Sequence, residues 1–232
     1  MPQSTSLLSP LAGGFHALPG GHAGFEEELK AYCHSETGPY LRPFTGNRNW
    51  KTASVFIIGT NPATPLRDEF EDFESYWEGL TGNTEQFRKT YAAKHSGQES
   101  KTSGNVRLLK SLIGEEHCLV TNRCWHPTAS VRELSSRQKT QHETFLRRLI
   151  EFCRPKVLFV HGQDGGIAFV ERTYEISLDR FEPPAVQNTV VDGTLLLAYP
   201  HLSGKYVPRA NFQPDTHFPI FADRIRAHLL KA

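Results

Sequence analysis

The chain has 232 residues, 38% of them hydrophobic and 22% charged, which suits one domain with a real core. Its 26 Lys and Arg against 25 Asp and Glu leave a net charge of +1, so nothing global demands nucleic acid and any basic binding surface is local. Residues 1–20 lack a basic start and a sustained apolar stretch, and no run approaches the roughly 20 apolar residues of a membrane span, so neither a secretory signal nor a membrane helix is expected.

In chain order, residues 1–23 are rich in Gly, Pro and Ser and read as a loop or arm. Apolar positions 25, 29 and 32 predict a short helix over Phe25–Tyr32. Turn-rich residues 34–50 follow, so residues 1–49 read as a loop-rich extension and 50–232 as the main domain. The first core strand is predicted over 54–58, running into Gly59-Thr60-Asn61-Pro62-Ala63-Thr64. Pro62 biases Asn61 away from the helical region and keeps it extended past the strand end. Helical turns are predicted at 69–78 and 84–94, and the aromatic residues within 70–77 read more readily as core than as a pocket. A helix over 104–113 ends at Gly114, and a short strand, 118–121, ends in Asn122. Asn122 has an ordinary reading as the cap of a following turn.

Ser135 or Ser136 starts a helix that Pro155 stops. A third buried strand over 156–161 ends in His161-Gly162, and 165–174 reads as helical. His126 and His161 read as satisfied polar residues at a loop edge rather than ligands. Val191-Asp192-Gly193-Thr194 is a hairpin-like step, and the fourth core strand over 195–199 ends in Pro200-His201-Leu202-Ser203-Gly204. A last helix covers roughly 216–230.

Cys33, Cys118, Cys124 and Cys153 form no CxxC pair and match no usual zinc or iron–sulfur spacing. They read as thiols of a reduced, cytoplasmic protein without structural disulfides. No Gly-x-Ser-x-Gly elbow occurs, and Gly-Gln-Asp-Gly-Gly at 162–166 lacks the Lys-Ser or Lys-Thr of a triphosphate loop.

Helices alternating with short, wholly apolar strands imply an α/β fold of three layers, α/β/α, with a central four-stranded parallel sheet. Parallel strands deliver their carboxyl ends to one edge, so Asn61, Asn122, His161 and His201 are expected at a common cleft.

The succession strand–Gly-Thr-Asn-Pro, strand–Thr-Asn, helix–Pro-Lys-Val-Leu-Phe-Val-His-Gly and strand–His-Leu-Ser-Gly resembles the uracil-DNA glycosylase superfamily over about residues 50–230. At the first motif it is most similar to the mismatch-specific uracil/thymine branch, which also has an aromatic-Trp step some 15 residues on, here Tyr76-Trp77. The resemblance implies a monofunctional DNA N-glycosylase of base excision repair, with DNA as partner, no membrane, no cofactor, no metal and a monomeric state. It implies that Asn61 holds the attacking water or stabilises the sugar cation, that Asn122 reads the Watson–Crick edge of the extruded base, and that His201 supports the departing uracil anion. Gly59, Thr60 and Pro62 would frame the base, and Phe70 or Phe73 would stack on it. Ser203, Gly204, Lys205 and Arg209 would touch the DNA backbone, and Tyr206 or Val207 would serve as the wedge. The chain departs from the family at Ala63, where Gly is usual, and at Pro200-His201, where the proline precedes the histidine instead of following it. Asn61 in place of a carboxylate and the altered second motif keep open a rival reading, a protein of the same fold that binds a nucleobase or nucleic-acid end without cutting it. Hydrolysis of free nucleosides is a third.

Overall fold

The computed structural model describes residues 22–178, 189–205, 208 and 211–231. In chain order its elements are α1 (His22–Cys33), β1 (Val55–Gly59), α2 (Phe73–Thr81), α3 (Thr84–Lys94), α4 (Lys101–Ile113), β2 (Cys118–Asn122), α5 (Ser136–Cys153), β3 (Val157–His161), α6 (Ala168–Tyr174), β4 (Thr189–Val191), β5 (Thr194–Tyr199) and α7 (Pro214–Leu229).

The sheet has five strands in the order β2-β1-β3-β5-β4. The first four are parallel, and β4 pairs antiparallel with β5. The expectation of four parallel strands is therefore corrected by one edge strand. Asp192 and Gly193, at φ 48° and 80°, close the two-residue turn that folds β4 back onto β5.

Strand alternation divides the core. Phe56, Ile58, Leu119, Leu158, Val160 and Leu196 face a layer built on α1, α2, α5 and α6. Val55, Ile57, Cys118, Val157, Phe159 and Leu197 face α4 and α7, which bring Leu109, Ile113, Phe218, Phe221 and Ile225. Every residue of β1 and of β3 is buried, as strands covered on both faces require.

The helix ends follow local chemistry. Ser135 and Gln138 form a capping box at the start of α5. Its last carbonyls are closed by Arg154 at φ 49°, and Pro155 turns the chain into β3. The segment predicted as helix over 165–174 starts instead as a wide π-type turn over Gly162–Ile167, and α6 proper begins at Ala168. Gly166 sits so close to β1 that any Cβ there would run into the carbonyl oxygen of Ile58.

Residues 22–49 are not an extension. Phe25, Leu29 and Cys33 of α1 are buried, with the Phe25 ring 5.0 Å from that of Phe152 and the Tyr32 ring stacked 3.8 Å from that of Phe145. Thr45 N donates to Val120 O (2.9 Å), Asn47 Nδ2 donates to Cys118 O (2.7 Å), and Phe44 forms a β-bridge with Thr121. This segment covers the free edge of β2, and the boundary expected at residue 49 lies inside one continuous core. Residues 1–21 lie outside the described residues, as do Tyr206, Val207 and Arg209.

Candidate functional site at the carboxyl edge of the sheet

The register aligns Asn122 with Gly59 and His161 with Tyr199, and Ile58 with Val160 one step earlier. Asn122, Gly59, His161 and Tyr199 thus form one row across the sheet, on the face toward α4 and α7. Gly59 has an extended backbone, so its identity answers to space and not to φ. A Cβ at that position would lie 2.7 Å from Asn122 Oδ1 and 2.9 Å from His161 Nε2. Two polar side chains from the flanking strands therefore lean over the one residue of β1 that leaves them room.

Pairing continues past the strand ends. Arg123 N donates to Gly59 O and Cys124 N to Thr60 O, both at 3.0 Å, and Thr128 N donates to Pro62 O at 3.2 Å. The loop after β2 thereby runs alongside the loop that carries Asn61. Asn61 Nδ2 donates to Thr128 O at 2.7 Å and, at 3.3 Å, to Thr128 Oγ1 and Pro62 O. The amide nitrogen is spent on the loop, and the carbonyl Oδ1 is the end left for a ligand or a water. Arg123 ties this assembly to the turn after β3. Its Nε donates to Glu143 Oε1 and its NH1 to Asp164 O, each at 2.6 Å, and Arg172 joins the same carboxylate at 2.9 Å.

The fourth strand end is held as closely. A Cβ on Gly162 would lie 3.0 Å from Thr60 Oγ1 and 3.1 Å from His201 Cδ2. The rings of His161 and His201 stand 5.4 Å apart and nearly perpendicular, at 82°. Asn105 Nδ2 of α4 donates to Leu202 O at 2.7 Å and fixes the loop to the helix layer. Ser203 N donates to His201 Nδ1 (3.1 Å), and Lys205 N donates to Ser203 Oγ, whose own proton is directed at Nδ1 2.7 Å away. Nδ1 is thus an acceptor, and the ring proton belongs on Nε2.

Burial lowers the pKa of His201 and the nearby Lys205 lowers it further. His161 is pushed down to about 3 by burial first and by His201 second. Both imidazoles are neutral at pH 7. His161 Nδ1 is buried with no hydrogen-bond partner. The four cysteines are unpaired, and burial pushes the Cys118 and Cys153 thiols up to about 12, which removes them as nucleophiles.

Of the residues singled out from sequence, Gly59, Thr60, Asn61, Pro62, Asn122 and His201 meet at this edge. Ser203 and Gly204 belong to the same turn, but the Ser203 hydroxyl is engaged in orienting His201. Lys205 is exposed and makes no ion pair among the described residues. Phe70 and Phe73 are corrections. Phe70 packs edge-on to Tyr76 (5.3 Å) and against Phe87 (6.1 Å), and Phe73 packs against His34 (4.8 Å) and Tyr40 (5.0 Å). Both belong to the core on the α1/α2 side of the sheet, whereas Asn122 and His161 face the other side. The chain after Thr64 turns toward that layer, and its aromatic rings fill it.

Sequence reasoning expected His161 at this cleft but read it as a satisfied polar residue, whereas its Nδ1 is buried without a hydrogen-bond partner. It passed over Arg123 and Thr128, which carry no local mark, because their partners are set by the loop path. Among the described residues no group of three or more His, Cys, Asp or Glu is arranged to hold a metal ion, and no helix is long and apolar enough to cross a membrane. No protein-family model and no curated protein matches the chain.

Proposed function

We propose that this protein is a monofunctional DNA glycosylase that removes uracil or a related damaged pyrimidine by hydrolysis of the N-glycosidic bond. The observation that carries the reading is the placement of Asn61, Asn122 and His201 at the carboxyl ends of parallel strands of one sheet, with Asn122 beside Gly59 and His201 beside Gly162, each with a functional atom that makes no hydrogen bond among the described residues.

A base inside a duplex cannot be reached, so the substrate nucleotide is extruded into the cleft. Asn122 offers one donor and one acceptor to the ring N–H and carbonyl of uracil. Bond cleavage leaves negative charge on the base and positive charge on the sugar. The Nε2–H of neutral His201 is the donor that stabilises the departing anion, in the manner of an oxyanion hole. Asn61, with its nitrogen held by Thr128, turns Oδ1 toward the sugar face, where it orients water or steadies the cation. An amide is not a base, so turnover is slow. Lys205, exposed beside the His201 loop, suits a phosphate contact.

One feature favours a second reading. Asn61 cannot accept a proton from water, as befits a protein that binds a nucleobase or nucleic-acid end without cutting it. The test is abasic-site formation on single- and double-stranded oligonucleotides containing uracil, with protein in excess. The glycosylase reading expects product, and expects His201→Ala to lower the single-turnover rate by about 10²-fold. Binding without product favours the second reading. Turnover of deoxyuridine but not of oligonucleotides moves the substrate to free nucleosides.

A further inference from the structure

Arg42 carries a full charge into the core. It is 6% exposed, and the groups that act on its charge are Tyr76 and Tyr91, neither of them an acid at pH 7. A guanidinium keeps its proton even when buried, and a buried charge is costly unless it is paired and hydrogen-bonded. Arg67 shows the ordinary solution. Its NH1 donates to Ser35 O and Gly38 O at 2.7 Å and its NH2 to Glu36 O at 2.6 Å, so three carbonyls share the charge. Arg42 is more deeply buried and spends only NH2, on Thr64 O at 3.1 Å. Its Nε and NH1 make no hydrogen bond among the described residues, and neither is sealed off from solvent.

The guanidinium is held in place. Its carbon lies 5.2 Å from the centre of the Tyr91 ring, and its backbone N donates to Trp125 O at 2.9 Å. Thr64 is itself buried, with its hydroxyl 2.7 Å from His95 Nε2, and the His95 ring is 4.7 Å from that of Tyr91. NH2 bears two N–H groups, one on each side of the fork. Whichever one Thr64 O takes, the other still runs parallel to Nε–H or to an N–H of NH1, so one bidentate edge is free. Such an edge matches two oxygens of a phosphate or a carboxylate. Thr64 follows Asn61 by three residues in one loop, so their Cα atoms lie at most about 11 Å apart.

We infer that Arg42 is the centre of an oxyanion site that takes a phosphoryl group on the free edge of its guanidinium. The site stands on Arg42 alone, and its preference for phosphoryl over carboxylate rests on the nucleic-acid reading above. The phosphoryl group is either a backbone phosphate close to the extruded nucleotide or a free phosphate. A site of about 1 mM affinity meets about a hundredfold excess in 100 mM phosphate, and binding to the folded state alone then raises Tm by about 5–10 °C. A guanidinium buried for packing only gives no such response.

The experiment is thermal melting of wild type, Arg42→Met and Arg42→Lys in sodium chloride, acetate and phosphate at equal ionic strength. Met keeps a stem against Tyr91 without charge, and Lys keeps the charge without the fork. Phosphate also stabilises folded proteins in general, so the readout is the difference between wild type and Arg42→Met. The expected result is a saturable rise in wild type, its loss in Arg42→Met and a small remnant in Arg42→Lys. An equal rise in wild type and folded Arg42→Met overturns the inference, and a response to acetate equal to that to phosphate overturns the phosphoryl preference. Should Arg42→Met fail to fold, NMR of the wild-type arginine Nε–H signals decides: a saturable shift of one signal with phosphate supports the site, and no shift overturns it. Binding of a uracil-free single strand identifies the source. If Arg42→Met weakens it and lowers the salt slope by about one, the occupant is a backbone phosphate; if not, it is a free phosphate. Absence of product from uracil-containing DNA overturns the glycosylase reading but leaves the phosphate response in place, so the two failures are distinct.

Discussion

Replacing Gly59 by Ala tests the convergence of the strand tips directly. The backbone there is extended, so an alanine is compatible with it and, through the unfolded chain alone, would stabilise by about 0.4–1 kcal/mol. Against this, the new Cβ would stand 2.7 Å from Asn122 Oδ1, 2.9 Å from His161 Nε2 and 3.0 Å from His161 Cε1. The Asn122 amide is half-buried and yields by rotating. The His161 ring, at 4% exposed, has little room to retreat. Overpacking of this kind costs about 1–3 kcal/mol. The net expectation is a loss of about 1–2 kcal/mol, which for a protein of this size lowers Tm by about 5 °C. Two other alanines bracket it. Gly24 lies in α1 with nothing within 4 Å of its missing Cβ, so Gly24→Ala is expected to stabilise by about 0.5–1 kcal/mol. Gly166→Ala would meet the carbonyl oxygen of Ile58, backbone at the centre of the sheet that cannot rotate away, and is expected to cost about 3 kcal/mol or more. Denaturant unfolding of the three variants measures the order directly. If Gly59→Ala proves as stable as Gly24→Ala, Asn122 and His161 do not meet over residue 59, and the site built on that meeting is wrong.

Other expectations follow from the same contacts. Arg123→Met strips one cation from Glu143 and the donor from Asp164 O, and is expected to cost about 1–2 kcal/mol in chemical denaturation. Arg172→Met, at the exposed end of the same network, should cost under about 1 kcal/mol; equal losses would deny Arg123 its bridging role. Asn122→Ala should weaken discrimination between uracil and cytosine by about tenfold while changing oligonucleotide affinity less, a split that paired binding isotherms can read. Stability should also fall with acid. His161 and His142 are held by burial at about 3 and about 4, below the ordinary histidine value of 6.5. Below about pH 6.5 the unfolded chain takes up protons that the buried rings refuse, so stability is full above that pH and is lost as pH falls toward those lower values. The slope approaches about 1.4 kcal/mol per pH unit for each ring. His161→Phe should flatten it, and a denaturation midpoint that does not move between pH 7 and pH 4.5 would refute the burial of these rings as neutral groups.

The four parallel strands were legible because each is a short apolar run closed by a polar or glycine punctuation, and the helices because their periods and caps are local. The delivery of Asn61, Asn122 and His201 to one edge followed from alternating helices and strands alone, since a parallel sheet has a single carboxyl edge. Other features were beyond reach. The hairpin-like step at 191–194 marked the turn, but the three-residue β4 before it carries too little pattern to mark a strand. The packing of α1 and Phe44 into the core depends on partners about 75 to 125 residues away, among them Thr121 and Phe152. That Phe70 and Phe73 fill one helix layer, that Thr128 takes up the nitrogen of Asn61, and that His161 closes over Gly59 beside Asn122 were likewise decided only by tertiary structure. Periodicity and capping are written into neighbouring residues, so the sequence determined the elements, their parallel order and the edge that bears the polar tips. Which atoms meet at that edge depends on strand register and side-chain packing, and those exist only once distant segments share one core.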